Sequence, residues 1–553
     1  MKHFLALACL LPLGLAAQTV NLTPKAKQMT VGEGTLTLPQ EFCVSYGQLP
    51  DSLSIEAARF ASAINATTGL KASARSTADG LFTMQLDSTA SPEGYTLDIT
   101  PEGVSVKAGT SAGFFYAFQS IKKILPANVM AGKYAEGTYT LPAVSIQDEP
   151  RFGYRGFMLD VSRHFFTVTE VKRMIDLMAA YKMNVFHWHL TDDQGWRAEI
   201  KKYPKLTTIG ATARNTRITD LDLGTYWTNR QYGPFYYTQN EMREVVEYCR
   251  ERHIIVIPEV DMPGHFTAAM ASYPEYSCWP DGKHEVCIDG GVYSDVMNVA
   301  NPQAIQFVKD IIDELVDIFP APYFHIGGDE CPTYAWEHNE QCQALYKEKG
   351  YTHYRQLQSE FINEISGYLK SKGKRTIMWN ESIGADGADL KKVEEHDPII
   401  MCWTPCQKDA KKAAEQGLTN IVTEYNEPTP NAEKGTYYIC RTQSNEPGEP
   451  KGPGYGNNTV KACYNYVPVP ADTPENLLPF YSGVQATFWT EWVENPRYLH
   501  YLALPRLICV AEAGWTPQEG KDWDDFLKRV TLDRKMLDLG GYEYSKHIFR
   551  NQK

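Results

Sequence analysis

Two adjacent acids, Asp329 and Glu330, follow a pair of glycines in the string HIGGDE. Neighbouring side chains of a β-strand point to opposite faces, so consecutive acids can share a cavity only where the strand has ended. Gly327 and Gly328 give the backbone the freedom to turn there. Two carboxylates held close together do not both ionise easily, so one should keep its proton near neutral pH. Such a pair has the groups that glycosidic cleavage needs, an acid for the leaving oxygen and an anion beside a cationic sugar ring.

A solvated Asp-Glu pair in a loop is the alternative, and the ends of the other predicted strands argue against it. Seven of eight apolar, strand-like segments finish in acids, histidine, arginine or tryptophan. The carboxyl ends of the strands of a parallel barrel surround one site, so these termini favour a shared active site over chance. The polar or aromatic termini are 160–164, 187–196, 259–265, 325–331, 379–381, 402–403 and 489–492.

The elements that must position these side chains alternate between strand and helix from about residue 150. Several strands are continuous apolar runs, such as 254–257, which is typical of strands buried on both faces. Eight such steps predict an α/β fold, a (β/α)8 TIM barrel. The alternative, an open doubly wound sheet, lacks the glycine-rich loop expected after its first strand. The predicted barrel strands are 154–161, 184–190, 254–260, 322–327, 375–380, 398–403, 419–425 and 484–489.

The chain divides into four predicted segments. They are a signal peptide (1–17), a smaller α+β domain (18–148), the barrel (149–520) and a C-terminal helical extension (521–553). The N-terminal domain has extended pieces at 81–87, 93–99 and 103–108 and helices near 52–66 and 111–125. A Pro/Gly-rich stretch, 426–458, is a long insertion after the seventh barrel strand.

The N-terminus has the pattern of a secretory signal peptide. Met1-Lys2-His3 precede an apolar run over 4–15, and Ala16-Ala17 provide small residues for cleavage. A lipoprotein anchored at Cys9 is the alternative, although the apolar run continues past that residue. No later stretch approaches the roughly 18 apolar residues of a membrane-spanning helix. We therefore expect export without an integral membrane segment, to a periplasmic, secreted or surface-associated location.

Composition excludes several partner classes. The chain has 553 residues, with 54 Lys and Arg against 67 Asp and Glu, a net charge of −13. An acidic surface repels phosphate backbones and anionic lipids, so nucleic acid is not an expected partner. The twelve cysteines include no CxxC pair, and we expect no structural metal and no cofactor. Disulfides between Cys278 and Cys287 or between Cys331 and Cys342 are one reading, and buried thiols are the other.

Four strings in the barrel region resemble the glycoside hydrolases of family 20, the β-N-acetylhexosaminidases. They are RGFMLDVSRHFF at 155–166, NVFHWHLTDDQGWR at 184–197, IPEVDMPGH at 257–265 and HIGGDE at 325–330. The resemblance implies exo-release of terminal β-linked N-acetylglucosamine or N-acetylgalactosamine from a glycan. It also implies that the 2-acetamido group of the substrate acts as the nucleophile and forms an oxazolinium ion, an exception to the usual two-carboxylate scheme.

The same resemblance implies a role for each matching residue. Glu330 would protonate the leaving group and then activate water, and Asp329 would accept the acetamido N–H. Asp192 and His265 would orient Glu330, with Asp261 nearby. The residues that would bind the sugar are Arg163, Trp379, Trp403, Trp489 and Glu491. The alternatives are an ion pair with Asp160 for Arg163 and ordinary core packing for His265 and the tryptophans.

One motif departs from the family pattern. The family has a tyrosine that hydrogen-bonds the acetamido carbonyl, followed two positions later by Asp or Asn. The best match here is Tyr438-Ile439-Cys440-Arg441, with cysteine at the polar position, and Tyr437 is not excluded. The missing Asp or Asn puts one sugar contact in doubt, and the 426–458 insertion can alter the rim of the site.

Three other functions compete with this interpretation. A metal-dependent hydrolase could use His187, His189, Asp192 and Asp261 as ligands. However, His187 and His189 share one strand face with apolar neighbours, which does not favour it. Release of a disaccharide, as in lacto-N-biosidases, and a sugar-binding module without catalysis are the other two. The sequence leaves open the choice between the two N-acetylhexosamines, the natural glycan and the oligomeric state.

Overall fold

The computed structural model describes residues 20–220, 222–425, 436–440 and 458–549. The proposed signal peptide therefore lies outside the described residues, as do 426–435 and 441–457 of the predicted insertion. None of the described helices is both long and apolar enough to cross a membrane.

The N-terminal part is a seven-stranded mixed sheet with helices against it. Its strand order is β1-β7-β5-β6-β4-β2-β3. The strands are β1 (Gln28–Thr37), β2 (Glu41–Ser45), β3 (Lys71–Arg75), β4 (Phe82–Leu86), β5 (Tyr95–Thr100), β6 (Gly103–Ala108) and β7 (Thr140–Asp148). The helices are Asp51–Thr67, Ser111–Ile124 and the short Ala127–Met130. The three predicted extended pieces and both predicted helices overlap observed elements.

The second part is a closed barrel of eight parallel strands, which confirms the predicted fold class. The strands are β8 (Tyr154–Asp160), β9 (Val185–His189), β10 (Ile255–Glu259), β11 (Tyr323–His325), β12 (Arg375–Trp379), β13 (Ile399–Cys402), β14 (Asn420–Val422) and β15 (Tyr481–Phe488). Closure comes from β15, which pairs in parallel with β14 on one side and with β8 on the other. Each strand lies within about four residues of its predicted bounds.

Helices cover the outside of the barrel. The longer ones are Val168–Ala180, Gln239–Arg250, Pro302–Val316, Glu340–Glu348, Arg355–Ser371, Cys406–Glu415, Pro496–Ala503 and Arg506–Trp515. The last long helix, Trp523–Gly540, packs back towards the N-terminal part. Its Arg529 Nη1 donates to the carbonyl oxygen of Leu22 at 3.0 Å and to Glu512 Oε2 at 2.9 Å.

The inward side chains of the strands fill the barrel. The buried set consists of Tyr154, Met158, Val185, Ile257, Ile377, Trp379, Ile399, Met401, Ile421, Cys440 and Trp489. Aliphatic residues dominate towards the amino ends of the strands, and tryptophans lie at the carboxyl ends. The interior is therefore a packed core that becomes aromatic where the active site is expected.

The described cysteines are all free thiols, so neither of the two candidate disulfides is present. Nine of these eleven cysteines are buried, and Cys43 and Cys287 are partly buried. The arrangement matches the alternative in which most cysteines act as small apolar side chains.

Candidate active site

The turn after β11 is built around two glycines with left-handed backbone conformations. Gly327 has φ 68° and Gly328 has φ 94°. A Cβ at Gly327 would lie 1.7 Å from Asp261 Oδ1, so any other residue would clash with that carboxylate. The amide of Gly328 instead donates to Asp261 Oδ1 at 2.9 Å. This turn ends β11 before its predicted bound and projects the two acids from the carboxyl end of the barrel.

Asp329 and Glu330 differ in exposure. The side chain of Glu330 is 40 % exposed, whereas Asp329 is only 6 % exposed. Asp329 lies within hydrogen-bonding reach of the fully buried Asp261, and burial together with Asp329 raises the pKa of Asp261 well above its ordinary value. Burial also raises the pKa of Asp329, against the attraction of His265. Burial and the repulsion between the two carboxylates both favour a proton on this pair.

Glu330 is held by a chain of three further side chains. Its Oε2 lies 3.4 Å from His265 Nε2, and His265 Nδ1 lies 3.2 Å from Asp192 Oδ1 and 2.9 Å from Asp193 Oδ2. Burial disfavours a charge on His265, but Asp192 and the other carboxylates outweigh it and raise its pKa well above the ordinary value. The structure thus brings Asp192 and His265 to Glu330, and it adds Asp193, for which the sequence analysis had no role.

Arg163 closes the same side of the site. Its Nη2 lies 2.8 Å from Asp192 Oδ2, whereas its Nη1 is 3.6 Å from Asp160 Oδ2, so Asp192 is the nearer partner. Its Nε donates to Gln194 Oε1 at 3.0 Å, and the guanidinium lies 4.8 Å from the centroid of the Trp489 ring. Within the described part of the chain, Nη1 is buried without a hydrogen-bond partner, a free donor suited to a sugar hydroxyl.

Four aromatic rings form a slot at the carboxyl ends of β12, β13 and β15. The centroids of Trp379 and Trp489 are 6.0 Å apart, those of Trp489 and Tyr438 5.9 Å, and those of Tyr438 and Trp403 6.1 Å. Flat apolar walls of this kind suit a small planar group such as an amide with its methyl. Glu491, two residues after Trp489, is partly buried. Its carboxylate is close enough to Arg163 and Tyr438 to interact electrostatically with both.

The strand alternation separates Tyr438 from Tyr437. The short strand Tyr438–Ile439 pairs in parallel with β15, Tyr438 being opposite Thr487. Tyr438 turns into the slot, whereas Tyr437 is fully buried on the other face against Tyr466, at 4.9 Å between ring centroids. Cys440 shares the inward face with Tyr438. Of the two tyrosines left open by the sequence, Tyr438 is therefore the one that faces the site.

Glu259 and Glu381 have no role in the prediction from sequence, although Glu259 ends a barrel strand and Glu381 follows one. Glu259 is fully buried inside the barrel, and Trp379 Nε1 donates to its Oε1 at 2.8 Å. Glu381 Oε2 accepts the backbone N–H of Glu330 at 2.5 Å. The rule that polar residues gather at strand ends included both positions, but it could not show what either carboxylate contacts.

His187 and His189 share one strand face, as predicted, and that face turns into the barrel, but their surroundings are polar rather than apolar. Both imidazoles meet Glu259 inside the barrel. His187, Glu259 and His325 offer possible ligand atoms within 4.8 Å of one another, and so do Asp192, Asp193 and His265. A third such group is His265 with Asp329 and Glu330, and none of the three combines His187 and His189 with Asp192 and Asp261. The set of ligands predicted for a metal-dependent hydrolase does not assemble among the described residues.

Known protein families match both parts of the chain. The model of glycosyl hydrolase family 20, catalytic domain, matches residues 152–518, and that of glycosyl hydrolase family 20, domain 2, matches residues 19–149. A beta-hexosaminidase of Porphyromonas gingivalis is 36 % identical over 530 residues, which are 95 % of this chain and 64 % of that protein. The chain therefore spans less than two thirds of that relative.

Solved structures are similar over nearly the whole chain. A GH20 exo-β-N-acetylglucosaminidase from Vibrio harveyi, in complex with N-acetylglucosamine, has a TM-score of 0.80 and 33 % identity, covering 95 % of this chain and 78 % of that one. A GH20 β-N-acetylhexosaminidase from Streptomyces coelicolor has a TM-score of 0.77 and 28 % identity, covering 96 % and 99 %. With the family models, these similarities confirm the resemblance found in the sequence: the chain belongs to glycosyl hydrolase family 20 and carries both its domain 2 and its catalytic domain.

Proposed function

We propose that this protein is a retaining exo-β-N-acetylhexosaminidase that releases terminal β-linked N-acetylhexosamine from glycans by substrate-assisted catalysis. The observation that carries the proposal is the pairing of a buried carboxylate, Asp329, with the more exposed Glu330 on one turn beside an aromatic slot. A glycosidase with its own nucleophile does not need such a slot. A 2-acetamido group that cyclises onto its own ring does, because it must be held in one orientation.

In the first half of the reaction the acetamido group lies in the slot. Glu330 protonates the glycosidic oxygen while the acetamido carbonyl oxygen attacks C1, and the leaving alcohol departs. Asp329 accepts the acetamido N–H, and its negative charge stabilises the oxazolinium ion that forms. The Tyr438 hydroxyl is the donor available to the acetamido carbonyl oxygen.

In the second half the roles of Glu330 reverse. As a carboxylate it takes a proton from water, and the oxygen of that water attacks C1 and opens the oxazolinium ring. Two displacements at C1 retain the anomeric configuration. His265 and Asp192 keep the Glu330 carboxyl in one position through both proton transfers.

Contacts beyond Arg163 support release of a single sugar rather than a disaccharide. Gln194 Nε2 donates to the carbonyl oxygen of Asp289 at 2.7 Å, and Trp492 Nε1 donates to Asp289 Oδ1 at 2.6 Å. The guanidinium of Arg217 lies 4.0 Å from the centroid of the Trp492 ring. We propose that this packing next to Arg163 blocks a further sugar on the bound residue, and release of free N-acetylhexosamine rather than a disaccharide from a defined oligosaccharide tests it.

The proposal is tested with three p-nitrophenyl β-glycosides, those of N-acetylglucosamine, N-acetylgalactosamine and glucose. We expect turnover of one or both N-acetylhexosaminides and at least 1,000-fold lower kcat/KM for the glucoside, since effective molarities of intramolecular groups are large. A matched thiazoline, in which sulfur replaces the oxazolinium ring oxygen, should inhibit competitively. Efficient glucoside hydrolysis would overturn the proposal.

We propose also that the chain is exported after cleavage near Ala17. The support is the basic start, the short apolar run and the small residues at 16–17. Amino-terminal sequencing of the protein purified from its native host should find Gln18 or a close neighbour first. A chain that still begins at Met1 would contradict export.

A further inference from the structure

Glu259 lies at the centre of the barrel, where it contacts residues of three other strands. It is fully buried, as are its neighbours His187, His189 and His325. Its Oε1 accepts from Trp379 Nε1 at 2.8 Å and lies 2.9 Å from His325 Nδ1. Its Oε2 contacts His189 Nδ1 and lies 3.0 Å from His187 Nε2. One buried carboxylate thus holds the indole of a slot tryptophan and an imidazole of the neighbouring strand β9.

His189 connects this carboxylate to the residues that hold Glu330. Its Nδ1 meets Glu259, and its Nε2 lies 2.9 Å from Asp192 Oδ2. Asp192 in turn contacts His265, which contacts Glu330. The result is a continuous series of polar contacts, Glu259–His189–Asp192–His265–Glu330, that runs from the barrel interior to the exposed acid.

His189 and His187 share a strand face but differ in charge. Burial disfavours a charge on His189, but carboxylates at both ring nitrogens outweigh it and raise its pKa to about 10. Burial lowers the pKa of His187 to about 4, since the attraction of Glu259 does not offset it and His325 adds to the lowering. Gln485 Nε2 donates to its Nδ1 at 3.2 Å. The contacts thus favour a charged His189 between two carboxylates and disfavour a charge on His187.

We propose that Glu259 and His189 are positioning residues of the reaction, which fix the aromatic slot and the acid Glu330 relative to each other. The inference rests on the proposed function, because it assigns the slot to the acetamido group and the acid role to Glu330. The slot and Glu330 must keep a fixed relative position, because the acetamido oxygen can reach C1 only while the glycosidic oxygen faces Glu330. Glu259 supports both parts, one through Trp379 and the other through His189.

Loss of His189 should act through Asp192. That carboxylate is buried and has its pKa lowered, against the effect of burial, by Arg163, His265 and His189. Without His189 one of its charged partners is gone, and a buried carboxylate with a missing partner rearranges or draws its remaining partners closer. His265 then moves relative to Glu330, so proton donation to the leaving group is damaged more than binding of the sugar.

His187→Gln is the matched control for His189→Gln. Both histidines come from β9, face the same way and contact Glu259, but only His189 reaches Asp192. The two variants are compared with wild type on N-acetylglucosaminides that have a poor leaving group, methanol, and a good one, 2,4-dinitrophenol. Protonation by Glu330 matters for the first substrate and little for the second.

We expect His189→Gln to lose roughly 10- to 100-fold in kcat/KM on the methyl glycoside, part of the 10²–10⁴-fold that general acid catalysis supplies. The ratio kcat/KM is compared because it reports only the steps up to loss of the leaving group, whereas kcat also includes the attack of water that Glu330 assists. On the dinitrophenyl glycoside its loss should be under about 3-fold, and His187→Gln should lose under about 3-fold on both substrates. Glu259→Gln should add a raised KM on both, because Trp379 loses its charged acceptor. Equal losses on both leaving groups, or equal losses in the two histidine variants, would overturn the positioning role.

The outcomes separate this inference from the proposed function. A wild-type enzyme that hydrolyses both glycosides while His189→Gln shows no leaving-group dependence overturns the inference alone. A wild-type protein that hydrolyses neither overturns both. If a variant does not fold, ¹⁵N NMR of histidine-labelled wild type gives the answer: His189 should remain doubly protonated at pH 8 and His187 should be neutral. A neutral His189 at pH 8 would overturn the inference.

Discussion

Glu330 donates its backbone N–H to the carboxylate of Glu381, with 2.5 Å between the amide nitrogen and Oε2. A second acidic side chain, that of Glu381, therefore contacts the main chain of Glu330. Burial and the nearby Asp329 raise the pKa of Glu381 to about 7, although the N–H of Glu330 lowers it in part. Ionising Glu381 is thus harder in the folded protein than in the unfolded chain.

This relationship predicts how stability changes with pH. The folded-state pKa of Glu381 exceeds its ordinary value of 4.5, so the folded state binds the extra proton between those limits and its stability falls as pH rises through them. Glu381→Gln keeps an acceptor for the amide but removes the charge. We expect an unchanged Tm at pH 4.5 and a higher Tm at pH 8, from a gain of at most about 3 kcal/mol. Thermal unfolding across this pH range measures it, with the exposed Glu348→Gln as control. A Tm difference that does not depend on pH would contradict the assignment.

Glu330→Gln should separate chemistry from binding. The amide is isosteric but cannot donate a proton to the leaving oxygen, so kcat on a glycoside with an alcohol leaving group should fall by 10²–10⁴-fold. The affinity for N-acetylglucosamine, measured by calorimetry, should stay within about 3-fold of wild type, because Arg163 and the slot are unchanged. Turnover near the wild-type rate would show that another group supplies the proton.

Tyr438→Phe and Tyr437→Phe form a matched pair of adjacent residues. Tyr438 faces the slot, and loss of its hydroxyl should lower kcat roughly 10- to 100-fold because a donor to the acetamido oxygen is removed. The Tyr437 hydroxyl is buried on the other face without a hydrogen-bond partner among the described residues, so its removal should change kcat by less than about 3-fold. Steady-state kinetics with a nitrophenyl N-acetylhexosaminide compares the two. A larger loss at Tyr437 would reverse the assignment.

Prolonged dialysis against a chelator should leave activity unchanged. The acids and histidines of the site are engaged with one another, and each step of the proposed reaction is a proton transfer or a displacement by the substrate amide. Activity before and after dialysis against EDTA, followed by addition of Zn²⁺, checks this. Loss on chelation with recovery on adding zinc would favour the metal-dependent alternative.

The barrel could be predicted closely because its strands are short apolar runs bounded by turn signals. The fourth strand was predicted over 322–327 and ends at His325, because Gly327 and Gly328 turn the chain before the apolar run finishes. The strands of the N-terminal sheet were harder to predict from the sequence. Its first strand, Gln28–Thr37, lies at an edge with nearly every residue exposed, so it shows no alternation of buried and exposed positions.

The residues of the candidate site also differ in how well their positions could be predicted from the sequence. The residues of the long family motifs, such as Asp329, Glu330, Arg163 and His265, are close together in space, as the motifs implied. Tyr438 could not be separated from Tyr437 without the register against Thr487. The sequence placed Glu259 at the end of a predicted strand. Its partners come from other strands, and only the closed barrel brings them within contact distance.

The central claim is that the amide oxygen of the substrate is the nucleophile. Its most direct test is a series of nitrophenyl glucosaminides carrying acetyl, fluoroacetyl, difluoroacetyl and trifluoroacetyl groups, because each fluorine withdraws electrons from that oxygen with little change in size. The account predicts that kcat falls steeply and continuously along the series, by several orders of magnitude in all. Rates that stay level from the acetyl to the trifluoroacetyl substrate would mean that a group of the enzyme attacks C1 instead, and the account would be wrong.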